Sequence, residues 1–279
     1  MNVREEFMNN YIVHLKGALP CELCDQWVQD FFDRTGVDES DPSTFPEDRR
    51  RFAGKTQTIP IAEASPMTWE VVCELLGGED MIDERTHTFS DNFNLNFNNG
   101  ADEPWQSPGP KSPGWHKDGW FFRHFLDSPE QALLCLVIWR RIEPRSGGTF
   151  YAPDSVPLIC KELLDHPEGL PHNHKWSRLI DHCKDFREVT ADAGDVIILH
   201  PYMLHAASQN PSGRIRFMSN KVVSLKEPMV LNRPDGAYTV LEASILHALG
   251  VESLNFQITG ERKRTEDFSR MVEDEEEAA

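Results

Sequence analysis

The 279-residue chain predicts a mainly β fold with flanking helices, an antiparallel sandwich or barrel. Helical patterns come early. From about residue 88 onward, short apolar or alternating runs follow one another between Gly, Pro and Asn turns. No GxGxxG follows a strand and there is no P-loop, which disfavours a doubly wound parallel sheet.

YIVHL (residues 11–15) reads as a short strand. Pro20 opens a helix with Leu23, Trp27 and Phe31 on one face and Gly36 past its end. Residues 38–50, rich in Asp, Pro and Arg, read as a loop. Ser65-Pro66 starts a second helix as N-cap and first turn. Trp69, Val72, Cys73 and Leu76 form its apolar face, and Gly77 stops it. SDNFNLNF alternates Asn92, Asn94 and Asn96 against Phe93, Leu95 and Phe97, a period-2 strand with one polar face. A Pro/Gly loop leads into GWHKDGWFFRHF (114–125). ALLCLVIWRRI (132–142) is an apolar strand, SGGTFYAP a turn and short strand, and SVPLICKELLDH (155–166) a helix. A short helix is expected over 176–182, strands in AGDVIILHPYMLHAAS and RIRFMSNKVVSL, and a last helix over 239–249. The acidic run Glu273 to Glu277 reads as a frayed, solvated end.

Lys and Arg number 28 against 46 Asp and Glu, a net charge of −18. No basic stripe offers itself to phosphate, so neither nucleic acid nor an anionic membrane surface is an expected partner. No apolar run approaches the ~20 residues a membrane helix needs, and the first residues lack a signal-peptide pattern. Six scattered cysteines, with one isolated CxxC (Cys21, Cys24), predict reduced thiols and a cytoplasmic protein.

His116 and Asp118 stand two residues apart, so extended backbone points both to one face. That is two-thirds of a 2-His-1-carboxylate site for Fe(II). The competing pair, His166 and Glu168, falls in the last turn of a helix, where the side chains would splay apart. Downstream lie two further histidines, His200 and His205, and two arginines, Arg214 and Arg216. One imidazole would complete the metal site. One guanidinium would bind the far carboxylate of a chelating 2-oxoacid.

Taken together, WHKDGWFF (115–122), Gly147-Gly148-Thr149, GDVII (194–198) and LHAASQN (204–210) resemble the phytanoyl-CoA dioxygenase-like Fe(II)/2-oxoglutarate oxygenases. The resemblance runs from about Tyr11 to Val223. It implies a double-stranded β-helix, a jelly-roll or cupin-like barrel. It assigns the metal to His116, Asp118 and His205, since the third ligand is the second His of an HxxxxH pair, and the distal carboxylate of 2-oxoglutarate to Arg216, with Arg214 as the alternative. Thr149 and Asn96 are candidate co-substrate contacts, and Trp120 and Phe122 candidate substrate walls. His200 and His124 read as packed side chains, His172 and His174 as a solvated loop, and Arg49 to Arg51 as solvated. Two stretches depart from the family's pattern: Ala152 to Val156, and everything after Val223.

The implied reaction uses Fe(II), 2-oxoglutarate and O2 to oxidise, by hydroxylation first of all, a C–H bond of a small metabolite, with succinate and CO2 as co-products. Asp118 argues against halogenation, which needs a small residue there. The alternative is a cupin-type metal barrel acting as isomerase or binder without 2-oxoglutarate. One domain over 1–279 is expected: helical support 1–88, barrel core 89–225 and a C-terminal extension 226–279. The oligomeric state and the primary substrate are not legible.

Overall fold

The structure is a computed structural model and describes residues 2–264, so the acidic run at 273–277 lies outside the described residues. In chain order the elements are α1 (Val3–Asn10), β1 (Ile12–Leu15), α2 (Cys21–Thr35), β2 (Arg50–Phe52), β3 (Thr58–Pro60), α3 (Ile61–Ala64), α4 (Pro66–Leu76), β4 (Thr88–Ser90), β5 (Asn94–Asn96), β6 (Leu133–Ile138), β7 (Thr149–Ala152), α5 (Ser155–Leu164), β8 (Arg187–Glu188), β9 (Val196–Leu199), β10 (Leu204–Ala207), β11 (Arg216–Val223) and α6 (Val240–Leu249).

A six-stranded sheet in the order β1-β9-β6-β11-β5-β2 faces a three-stranded sheet in the order β10-β7-β8, and every pairing is antiparallel. This is the jelly-roll type of barrel with helices against it. β6 and β9 are buried at every position, which is why they read as unbroken apolar runs rather than alternations. One hydrophobic cluster runs from Phe7 to Leu246. On the outside of the large sheet, Trp27 of α2 stacks on Trp139, with centroids 4.6 Å apart and planes 18° apart. α6 packs against α5, α1 and α4.

Local signals set the helix ends. The Ser65 hydroxyl accepts from Thr68 N at the start of α4, and Gly77 closes it at φ 92°. Thr239 and Glu242 form a reciprocal capping box on α6. The buried face of α4 is Val71, Val72, Leu75 and Leu76, rotated from the expected one. Trp69 and Cys73 are only partly buried, and Trp69 instead lies edge-on to His87.

Two local expectations are corrected and one element is added. The added element is α1, which has only Phe7 fully buried, with Val3 and Met8 partly buried beside it, too few apolar positions to stand out in the sequence. SDNFNLNF is not one continuous strand. Asp91 breaks it by turning its carboxylate onto the amides of Thr56 and Gln57, leaving β4 and β5 on either side. The 38–50 loop ends in β2, whose first residue is Arg50.

Candidate metal centre

Among the described residues, His116, Asp118 and His205 are the one group of three metal-type donors, with ligand atoms all within 4.8 Å of one another. The backbone brings them there. His116 N donates to His205 O at 2.9 Å and His205 N to His116 O at 3.0 Å, a two-way bridge that adds the His116 segment to the edge of β10. The imidazole centroids sit 4.3 Å apart.

Each ring is oriented through its other nitrogen. His116 Nδ1 lies 2.7 Å from Gly114 O, and His205 Nδ1 lies 3.1 Å from Met203 O. A carbonyl can only accept, so both Nδ1 atoms carry the proton and both Nε2 atoms keep a free lone pair. Those two Nε2 atoms stand 3.5 and 3.6 Å from the same oxygen, Asp118 Oδ1. His205 Nε2 is buried with no hydrogen-bond partner. Three donors converging on one small volume, one of them orphaned, fit a facially bound cation. Burial would raise the Asp118 carboxyl pKa, but the two imidazoles override it and hold the group well below the carboxylate range. Burial pulls His116 down, yet the hydrogen bond and charge of Asp118 leave it above its ordinary value.

His200 is built the opposite way. Its Nδ1 accepts from Tyr202 N at 3.1 Å, so the proton sits on Nε2 and no lone pair is left for a metal. The ring is buried against Phe7, Tyr11 and Tyr202, and burial, with the nearby Lys117 charge, pushes its pKa down to about 3. It is a packed side chain.

Arg216 is 3% exposed and begins β11. Its Nη1 donates to Gly147 O at 2.8 Å, and its Nη2 to the carbonyl and side-chain oxygens of Asn94 at 3.0 and 2.8 Å. Its Nε has no partner, and among the described residues no carboxylate pairs with it. Burial and the charge of Arg50 push its pKa down to about 10. A buried guanidinium held by neutral oxygens alone suits an anionic ligand. Arg214 is exposed.

Asn96 and Thr149 sit on the inner face but are committed to the scaffold. Asn96 Nδ2 donates to Ser208 O and its Oδ1 accepts from Asn99 N, while Thr149 Oγ1 contacts Met218 Sδ at 3.7 Å. Trp120 lines a cavity of about 280 Å³ shared with His116 and Asp118. Phe122 is buried behind the motif. A second recess of similar volume, between β1 and β8, contains no triad residue.

Several site neighbours were missed. The wall opposite His116 and Asp118 comes from residues 172–177, so the loop that carries His172, which is exposed, and His174, which is partly buried, also lines the cavity. The cluster PHNHKW, with two histidines beside a Trp, was the available signal. Asn94 holds Arg216, a role invisible before the β5–β11 register is known. Lys117, between the two ligands in sequence, points away from them into a cage of Phe122, Trp176 and Tyr202, 5.3 to 5.7 Å from the ring centroids. Its Nζ donates to Asp118 O at 3.0 Å and to His124 Nδ1 at 3.1 Å. His166 and Glu168 do meet, at 2.9 Å, because α5 stops at Leu164 and Pro167 ends the helical geometry. They form a surface hydrogen-bonded pair.

Residues 103–218 match the Phytanoyl-CoA dioxygenase (PhyH) family. No curated protein sequence matches the chain. Among solved structures, the non-heme alpha-ketoglutarate-dependent epimerase SnoN from nogalamycin biosynthesis is similar at 13% identity over 79% of this chain and 80% of that one, with a TM-score of 0.46. AviO1 from Streptomyces viridochromogenes Tue57 is similar at 11% identity over 81% and 95%, with a TM-score of 0.49. A Pseudomonas putida prolyl-4-hydroxylase is similar at 14% identity over 81% and 98%, with a TM-score of 0.42. Among the described residues no helix is long and apolar enough to cross a membrane. The segment that matches the phytanoyl-CoA dioxygenase family is the one that carries His116, Asp118, His205 and Arg216, and its His-Asp-His group is of the kind that could hold a metal ion.

Proposed function

We propose that the protein oxidises a C–H bond of a small molecule, hydroxylation being the expected outcome, with succinate and CO2 released from 2-oxoglutarate. In this reading His116 and His205 bind iron through Nε2 and Asp118 through a carboxylate oxygen, while Arg216 holds the distal carboxylate of 2-oxoglutarate. The observation that carries it is the opposition of two lone-pair Nε2 atoms to one Asp118 oxygen, at 3.5 and 3.6 Å. When bound, iron with 2-oxoglutarate and O2 supplies the oxidising chemistry. The chain supplies placement. The Gly114 and Met203 carbonyls fix the imidazole tautomers, and Lys117 fixes the Asp118 backbone from behind. Trp120, His172 and His174 wall the cavity beside the ligands, where the substrate would sit. His116 is half exposed on that side.

The test is anaerobic titration with Fe(II) or Mn(II) and 2-oxoglutarate, followed by an aerobic screen for compounds that accelerate succinate formation. One metal per chain, 2-oxoglutarate binding that depends on the metal, and substrate-stimulated succinate are expected. Metal binding without 2-oxoglutarate binding or turnover would support a cupin-type isomerase or binder instead. Absence of stoichiometric metal would sink both readings.

A further inference from the structure

Strand β2 places a second cation on the inner face of the barrel. Arg50 pairs with Asn96, and Asn96 pairs with Arg216. Directly opposed residues on antiparallel strands point to the same face, so the three form one row across the sheet. The next row is Phe52, Asn94 and Met218. This face is the barrel interior, because Met218 meets Thr149 of the opposite sheet and Arg216 reaches Gly147 O. With strands roughly 4.8 Å apart, the Arg50 backbone lies roughly 10 Å from that of Arg216, at the open edge of the sheet.

Arg50 differs from most arginines of this acidic chain. Arg34, Arg85, Arg140, Arg178, Arg187 and Arg233 each hold a carboxylate. Among the described residues the Arg50 guanidinium has no hydrogen bond and no ion pair, although the residue is exposed and the chain has 46 acidic residues. It lies in the same inward-facing row as Arg216, two strands away, and its charge makes that guanidinium less basic. Two residues on, Phe52 is 56% exposed, the most exposed large hydrophobic side chain described. An unpaired cation and a bare aromatic ring, side by side on the inward face of an edge strand, form an amphipathic recognition edge.

We propose that Arg50 and Phe52 select the primary substrate, and that this substrate is a carboxylic acid with an apolar body. The carboxylate engages Arg50 and the body lies on Phe52. The inference rests on the oxygenase reading above, in which Arg216 is already committed to 2-oxoglutarate.

The test uses protein loaded with Mn(II) and 2-oxoglutarate. Failure to load defeats the oxygenase reading and is seen before any acid is added. The loaded protein is titrated with 3-phenylpropionate and decanoate, each beside its uncharged carboxamide, and binding is followed by ligand-observed NMR and tryptophan fluorescence. The acids are expected to bind about tenfold more tightly than the amides, the size of one exposed charge-assisted contact. Arg50→Gln should erase that preference, Phe52→Ala should weaken acid and amide alike, and 2-oxoglutarate affinity should change far less than acid affinity in both. Equal binding of acid and amide, no binding of either acid, or a preference that survives Arg50→Gln overturns the proposal. So does a loss of 2-oxoglutarate affinity in Arg50→Gln as large as the loss of acid affinity, which would place Arg50 in the co-substrate site.

Discussion

Replacing Arg216 by methionine separates the co-substrate role of this side chain from its structural one. Methionine keeps a flexible unbranched stem, is shorter, and removes the charge. The variant loses three hydrogen bonds, to Gly147 O and to both Asn94 oxygens. Under-satisfied carbonyls cost about 1–3 kcal/mol. A desolvated guanidinium, strained enough that its pKa falls to about 10, is relieved at the same time. The two effects offset, so ligand-free stability should move by only about 1 kcal/mol, or roughly 2–4 °C in Tm for a chain of this size. The co-substrate pays the difference. Losing a charge-assisted contact should weaken 2-oxoglutarate by about 1.5–3 kcal/mol, roughly 10- to 150-fold in Kd. Wild-type protein with Mn(II) and 2-oxoglutarate at about 100 times its Kd gains about 2.7 kcal/mol of stability, and about half or more of that gain should vanish in the variant at the same concentration. Calorimetric titration gives the affinity and differential scanning calorimetry the stability. If Arg216→Met binds 2-oxoglutarate like wild type while Arg214→Ala does not, the buried guanidinium has been given the wrong task.

The histidines should part company in the same way. His205→Ala should lose metal binding, and His200→Ala should keep it at a stability cost of about 1–3 kcal/mol from lost ring packing, measured by metal titration and urea unfolding. Lys117→Met should preserve the fold but weaken the metal about 10- to 100-fold, because the carbonyl of Asp118 loses its anchor; a metal Kd equal to wild type would dismiss that role. Gly148→Ala would place a Cβ 2.2 Å from Val189 O, so a loss of about 3 kcal/mol or more is expected in thermal unfolding. Asp91 is fully buried. Burial alone would raise its pKa, but the hydroxyl and amide of Thr56, the Gln57 amide and Arg34 bring it below the ordinary value. Its contribution is therefore complete above the unfolded value of about 3.9 and fades as pH falls through the folded one. Asp91→Asn should cost about 2–4 kcal/mol at pH 7 and progressively less below pH ~4, and a gap that stays constant with pH would contradict this.

The elements legible in the sequence were those whose signals are local. Pro20 and Gly36 bracket α2, Ser65 and Gly77 bracket α4, and the apolar runs of β6 and β9 needed no tertiary knowledge. His116 and Asp118 were legible because two residues of extended chain carry both donors. The choice of His205 over His200 came from resemblance. The tautomer argument that separates them depends on Met203 O and Tyr202 N, and on backbone geometry that no spacing rule encodes. Asn94, Arg50 and the wall at 172–177 were not legible for one reason. Each earns its place through register or loop closure with a segment far along the chain. The same holds for Asp91, whose partners at 56–57 sit more than thirty positions upstream.

In the six-stranded sheet no two neighbouring strands are consecutive in the chain. β1 is synthesised long before its partner β9, which begins at Val196, and β11, which joins β6 to β5, ends only at Val223. Such long-range pairing makes for slow folding. A nascent chain halted anywhere before that point would carry the HKD motif and most of the apolar strands with nothing to close them, so we expect this protein to depend on holdase chaperones during synthesis and to tolerate C-terminal truncation poorly if it reaches back into β11.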